Sequence, residues 1–112
     1  MKGKIPCYSD GEQLDFLKNI EKDIKEKEAK ILIRIYQGNA YMRVDDKQNL
    51  LDIIEETTKS VEGLHDLDTV IYSEFYRLQA LYHLKKEDLE EYYQNGLQFL
   101  SYTKETVIFF WS

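Results

Sequence analysis

The chain has little of what usually carries chemistry or interrupts helices. Among its 112 residues there is one cysteine, Cys7, one proline, Pro6, and five glycines. A lone cysteine excludes an internal disulfide and suits a reducing compartment, cytosol or nucleus. Zinc needs four ligands, and the two histidines, His65 and His83, belong to no Cys/His cluster that could supply them. No apolar run approaches the ~18 residues of a membrane span. Lys2 and Lys4 are not followed by the apolar stretch of a secretory leader. There is no glycine-rich phosphate loop and no usable Ser, His and Asp spacing. The net charge is −6, so the clustered positive field that a nucleic-acid phosphate backbone requires is not evident.

What the sequence does have is apolar residues at spacings of three and four almost throughout, the period of amphipathic helices. Leu14, Leu17, Ile20 and Ile24 make a first stripe, preceded by Ser9 and Glu12 in capping-box spacing. This predicts a helix over 10–26, with the charged run from Glu21 to Glu28 as its solvated, fraying end. A second helix over 28–44 carries Ile31, Leu32, Ile35, Tyr36, Ala40 and Tyr41 on more than one face, the mark of a central helix. Gly38 inside it costs about 1 kcal/mol relative to alanine, which close approach of a neighbouring helix explains. Asp45 and Asp46 are N-cap residues for a third helix, 47–62, with Leu50, Ile54, Thr57 or Thr58, and Val61 as its stripe and Gly63 as its stop. A fourth, 67–84, follows Asp66 or Asp68 and carries Ile71, Phe75, Leu78 and Tyr82. A fifth, 87–102, carries Leu89, Tyr93, Gly96 or Leu97, and Leu100. Tyr36, Phe75, Leu78 and Leu97 are expected where helices cross.

Short linkers make neighbouring helices antiparallel. The expected fold is all-α: antiparallel helix hairpins stacked as a short TPR-like solenoid, with a repeat of about 35–40 residues per helix pair.

Candidate chemistry gives way to simpler accounts. Cys7 lies in a short N-terminal segment with no base near it in sequence, and a nucleophilic thiol needs one. His83 falls at a helix C-terminus, where a cationic ring is favoured by the dipole. Glu87, Asp88, Glu90 and Glu91 open the fifth helix, where negative charge is stabilising, and no calcium-loop glycine follows. The aromatic load (Tyr72, Phe75, Tyr76, Tyr82, Tyr92, Tyr93, Phe99, Tyr102) is interleaved mainly with acidic residues, unlike a base-stacking platform. Tyrosines at helix seams bury their rings and keep the hydroxyl wet. The residues specify no catalytic, cofactor-binding or metal site.

Two stretches, FLKNIEKDIKEKEAKILIRIYQGNAYMRVDD from Phe16 and SEFYRLQALYHLKKEDLEEYYQNGLQFL from Ser73, carry a resemblance. Their order and spacing, over about residues 14–102, resemble the lid-subunit family of 26S proteasome non-ATPase regulatory subunit 13. The sharpest piece is YYQNGLQFL, in which Tyr92, Tyr93, Leu97, Phe99 and Leu100 match the family pattern. Gly96 stands where alanine is usual, which suits a tight seam. The resemblance implies N-terminal helical repeats followed by a winged-helix domain. It implies a cytoplasmic and nuclear scaffold without an active site or cofactor. Its partners are other lid subunits, with no nucleic acid, membrane or small-molecule substrate. Phe75, Leu78, Tyr92, Tyr93, Leu97, Phe99 and Leu100 are then the structural and interaction candidates. An unrelated helical-repeat adaptor, holding a peptide in a concave groove, is the alternative.

On this reading the chain divides into a flexible N-terminus, 1–9, a helical-repeat region, 10–102, and a divergent apolar tail, 103–112. The family's earlier repeats and its winged helix are absent, and the resemblance ends after Thr103. The tail closes on Val107, Ile108, Phe109, Phe110 and Trp111. It is expected to fold back over the face of the fifth helix that lacks a neighbour, a face including Leu89, Tyr93 and Leu100.

Overall fold

The periodic segments become five α-helices: α1 (Asp10–Glu21), α2 (Lys27–Arg43), α3 (Lys47–Gly63), α4 (Thr69–Lys85) and α5 (Leu89–Trp111). The computed structural model describes the backbone of residues 10–111 and the side chains of 11–103. Among the described residues there is no strand. Helix α2 is central, as its several apolar faces predict: it packs against α1, α3 and α4, while α5 packs on α4.

One turn is used twice. At the end of α2 the Asp46 amide donates to Tyr41 O and the Asp45 amide to Met42 O. At the end of α4 the Asp88 amide donates to His83 O and the Glu87 amide to Leu84 O. These are Schellman bonds, which require a left-handed residue at the turn. Asp45 (φ 62°) and Glu87 (φ 62°) take that conformation. The next residue caps the following helix in both hairpins. Asp46 Oδ1 accepts from the Asn49 amide and Asp88 Oδ1 from the Glu91 amide, both at 3.3 Å. The second hairpin thus repeats the first with a shift of 42 residues from Asp45 to Glu87. A lysine joins the two: Lys85 Nζ donates to Met42 O at 2.9 Å and lies 3.2 Å from Asp45 Oδ1.

The core runs along α2. Ile35, Ile53 and Leu78 are almost fully buried, with Ile31, Leu50, Ile54, Val61, Ile71 and Phe75 around them. Gly38 sits where α2, α3 and α4 converge. A methyl group there would lie 2.9 Å from Leu78 Cδ2 and 3.1 Å from Ile53 Cγ2. Glycine permits this approach, and the packing gained offsets its poor helix propensity. Tyr36, expected at a crossing, is half-buried. Partial burial of its hydroxyl raises its pKa, with Glu74 adding to the effect.

A polar network ties the first three helices together. Arg34 makes a bidentate pair with Glu56 on α3, both bonds 2.8 Å. Arg34 also donates to the Gln37 Oε1 at 2.7 Å, and Gln37 Nε2 donates to Glu21 on α1 at 2.8 Å. The Glu56 hydrogen bond outweighs the desolvation of Arg34 and raises its pKa. Gln37 is fully buried, so each bond to it matters more than an exposed pair.

Three boundaries depart from the sequence reading. Helix α1 stops at Glu21, and 22–26 form a turn and an extended link. That charged run offers only Ile24, half-buried, to pack, too little to hold a short helix. Gly63 is the last residue of α3 rather than the residue beyond it, and the chain leaves through Leu64 in an extended conformation. Helix α5 continues to Trp111. Residues 103–111 therefore extend the helix instead of folding back over it. Cys7, Ser9 and the rest of 1–9 lie outside the described residues, as do the side chains beyond Thr103.

Candidate interaction surface

The 42-residue register places each position of α5 against one of α3. The buried face of α3 is Leu50, Ile53, Ile54, Thr57 and Val61. The same positions of α5 hold Tyr92, Asn95, Gly96, Phe99 and Thr103. Of these, Asn95, Gly96, Phe99 and Thr103 are half-buried at the α4 seam. Tyr102 joins them: its ring stacks on Tyr72 at 4.8 Å and lies parallel to Tyr76 at 5.8 Å. Burial raises the Tyr76 pKa.

The outer face differs more. Helix α3 has Lys47, Leu51 and Glu55 exposed and Thr58 half-buried, its hydroxyl accepting from Gln79 Nε2 of α4 at 3.2 Å, where α5 has Leu89, Tyr93, Leu97 and Leu100 at the matching positions. Those α5 residues are exposed by 65%, 61%, 45% and 58%. Leu97, expected at a helix crossing, is thus a surface residue. The stripe identified in the sequence has helical spacing but the wrong phase for a core. It lies about a third of a turn round from the α4 seam at 3.6 residues per turn.

Five of the seven sequence candidates, Tyr92, Tyr93, Leu97, Phe99 and Leu100, come together. With Arg77, Ala80 and Leu81 of α4 they line a groove of about 420 Å³. Gly96 lies in this groove, and a methyl group there would meet nothing within 4 Å. It is open space rather than the tight seam expected. The other two candidates, Phe75 and Leu78, are core residues, not surface.

Among the described residues the histidines and the acidic start of α5 stand apart from this groove. His65 is exposed in the α3–α4 loop. His83 sits in the last turn of α4, edge-on to Tyr82 at 5.1 Å, with Nδ1 3.9 Å from Asp88 Oδ2. Asp88, Glu90 and Glu91 open α5 as cap and first turn. Among the described residues no group of three or more acidic, histidine or cysteine side chains could hold a metal. Nor, among them, is any helix long and apolar enough to cross a membrane. A second cavity of about 600 Å³ lies by the α2–α3 turn, lined by Tyr41, Leu50, Leu51, Tyr82 and charged residues of both signs. Sequence reading missed it, because it is formed by two turns that are neighbours only after folding.

Residues 6–108 match the family described as PSD13 N-terminal repeats. The match continues past Thr103, where the resemblance was expected to end. The chain is 34% identical over 105 residues to 26S proteasome non-ATPase regulatory subunit 13 of Dictyostelium discoideum, covering 89% of this chain and 27% of that protein. It is 27% identical over 74 residues to homolog A of the same subunit from Arabidopsis thaliana, covering 66% of this chain and 17% of that protein. The chain therefore spans less than a third of the length of these relatives. No solved structure matches.

Proposed function

The chain belongs to the family of PSD13 N-terminal repeats, and on that premise we propose that it is a non-catalytic structural element of the 26S proteasome regulatory-particle lid. In this role it supports assembly of the lid, and through it ubiquitin-dependent protein degradation, in cytoplasm and nucleus. Its partners are other lid subunits. The observation that carries the reading is the family match over residues 6–108, nearly the whole chain. The fold agrees with it: stacked helix hairpins bury one another and leave a face for a neighbour. Tyr92, Tyr93, Leu97, Phe99 and Leu100 are the contact residues this role would use.

The test is co-purification. A tagged chain expressed in cells should be recovered with the complete set of lid subunits, identified by mass spectrometry. A folded chain absent from every lid-containing fraction overturns the reading. Replacing His65 and His83 together should leave recovery unchanged, since neither stands in the contact face.

A further inference from the structure

The geometry points to a docking site in the cavity of about 600 Å³ beside the α2–α3 turn. It receives a large apolar side chain from a protein segment whose neighbouring residues are acidic. That the occupant is a protein rests on the structural role proposed above; the site itself rests on its own residues.

The cavity is built from α2, α3 and the end of α4, away from α5. Tyr41 and Leu50, both buried, and the half-buried Met42 and Tyr82 give it an apolar lining. Leu51, 37% exposed, completes that lining and has no cover. The volume falls within the roughly 300–1,000 Å³ usual for ligand sites. A leucine or an aromatic ring with its flanking backbone therefore has room. A side chain anchored in such a pocket carries much of the energy of an interface.

Charge selects the occupant. Lys47, Lys85, Lys86, Asp45 and Asp46 line the same cavity. Both aspartates are engaged within the chain. Asp45 Oδ1 lies 3.2 Å from Lys85 Nζ. Asp46 accepts from the Asn49 amide at 3.3 Å and from Asn49 Nδ2 at 2.8 Å. Lys85 is held in turn by Asp45 and by Met42 O. Lys47 and Lys86 are exposed, and among the described residues no ion pair holds either. The Lys86 ammonium is 5.0 Å from the centre of the Tyr82 ring, which keeps a cation beside the apolar lining. The rim is thus net positive on a chain of net charge −6. An acidic segment is drawn to this rim and repelled by the net negative field elsewhere; a basic segment meets the opposite preference.

One anchoring side chain makes a weak contact, with a dissociation constant on the order of 0.1–1 mM. The probe is the acetylated, amidated peptide Glu-Glu-Leu-Phe-Glu-Glu, titrated to about 5 mM into the isotope-labelled full chain and followed by amide chemical shifts. The expected result is saturable shifts confined to the α2–α3 turn, the start of α3 and the end of α4. Affinity should fall at least tenfold for Lys-Lys-Leu-Phe-Lys-Lys, and at least tenfold for Glu-Glu-Ser-Gly-Glu-Glu, which lacks the anchor. Lys47→Glu with Lys86→Glu should also weaken binding at least tenfold. Lys47→Glu alone places an acid in the first turn of α3, where it favours the helix, and reads the same rim if the double variant melts lower. Failure of the first peptide to bind overturns the proposal. So does equal affinity for the acidic and basic peptides, undiminished binding without the anchor, or binding untouched by the lysine replacements. Shifts centred on α5 overturn it by placing the contact elsewhere. If the same amides shift with protein concentration alone, the cavity takes a second copy and the proposal falls. Recovery with the lid is a separate readout: a chain that binds the peptide but is absent from the lid defeats only the structural role, and the reverse defeats only the site.

Discussion

The α2–α3 and α4–α5 hairpins share a turn, a capping aspartate and a 42-residue register. Their second helices are nevertheless built on opposite plans. Helix α3 turns Leu50, Ile53, Ile54, Thr57 and Val61 inward and keeps its outer face largely polar. Helix α5 has Asn95 and Gly96 at inward positions and places its leucines outside. The turn fixes the hairpin, since its hydrogen bonds involve only the backbone and one carboxylate. It does not fix which face of the second helix carries apolar surface. That choice decides whether a helix completes a core or begins an interface.

The sharpest separation should appear in truncations of large side chains. Phe75→Ala empties a buried aromatic site and should cost about 3–5 kcal/mol in a denaturant melt. Leu97→Ala removes a side chain that is 45% exposed and should change stability by less than about 0.5 kcal/mol. Similar losses at the two positions would mean that α5 packs its leucines after all, and the contrast between the hairpins would disappear.

A smaller effect, with a change of sign, is expected at the two helical glycines. Gly38→Ala places a methyl group 2.9 Å from Leu78 Cδ2. Leu78 is fully buried and has no room to give. Overpacking of about 1–3 kcal/mol should outweigh the ~1 kcal/mol gain in helix propensity. Gly96→Ala meets nothing and should stabilise by about 0.5–1 kcal/mol in chemical denaturation, the propensity gain alone. Destabilisation at both glycines would show that α5 is covered where the structure leaves it open.

Much of this contrast was legible in the sequence, though not its direction. Five helices, the aspartate caps, the centrality of α2 and the close approach at Gly38 all follow from local rules, because each depends on a few neighbouring residues. The phase of α5 does not. Reading Leu89, Tyr93, Leu97 and Leu100 as a core stripe assumes that apolar residues face inward, and here they face out. The actual seam uses Asn95, Gly96, Phe99, Tyr102 and Thr103, whose partial polarity hides it from any hydrophobic pattern. The Glu21–Gln37–Arg34–Glu56 network was missed for another reason. Its members lie on three helices, and nothing local pairs them. Of the interaction candidates, those in YYQNGLQFL converge on one groove because a single helix carries them. Phe75 and Leu78 separate from them because α4 turns its other face to α2.

The smallest expected effect concerns the shared turn. Asp45 and Glu87 both hold φ near 62°, a conformation that costs a residue with a Cβ about 1–2 kcal/mol and glycine nothing. Glycine also adds freedom to the unfolded chain, which cancels part of the gain. Glu87→Gly should therefore stabilise by about 0.5 kcal/mol. Asp45→Gly also removes the contact with Lys85 at 3.2 Å, an exposed pair contributing up to about 0.5 kcal/mol, and should come out near zero. The difference between the two replacements isolates the Lys85–Asp45 pair between the hairpins. Raising salt screens that pair and should narrow the difference. Equal effects at both positions, unchanged by salt, would mean that the Lys85–Asp45 pair contributes nothing and that the lysine's bond to Met42 O is what joins the hairpins.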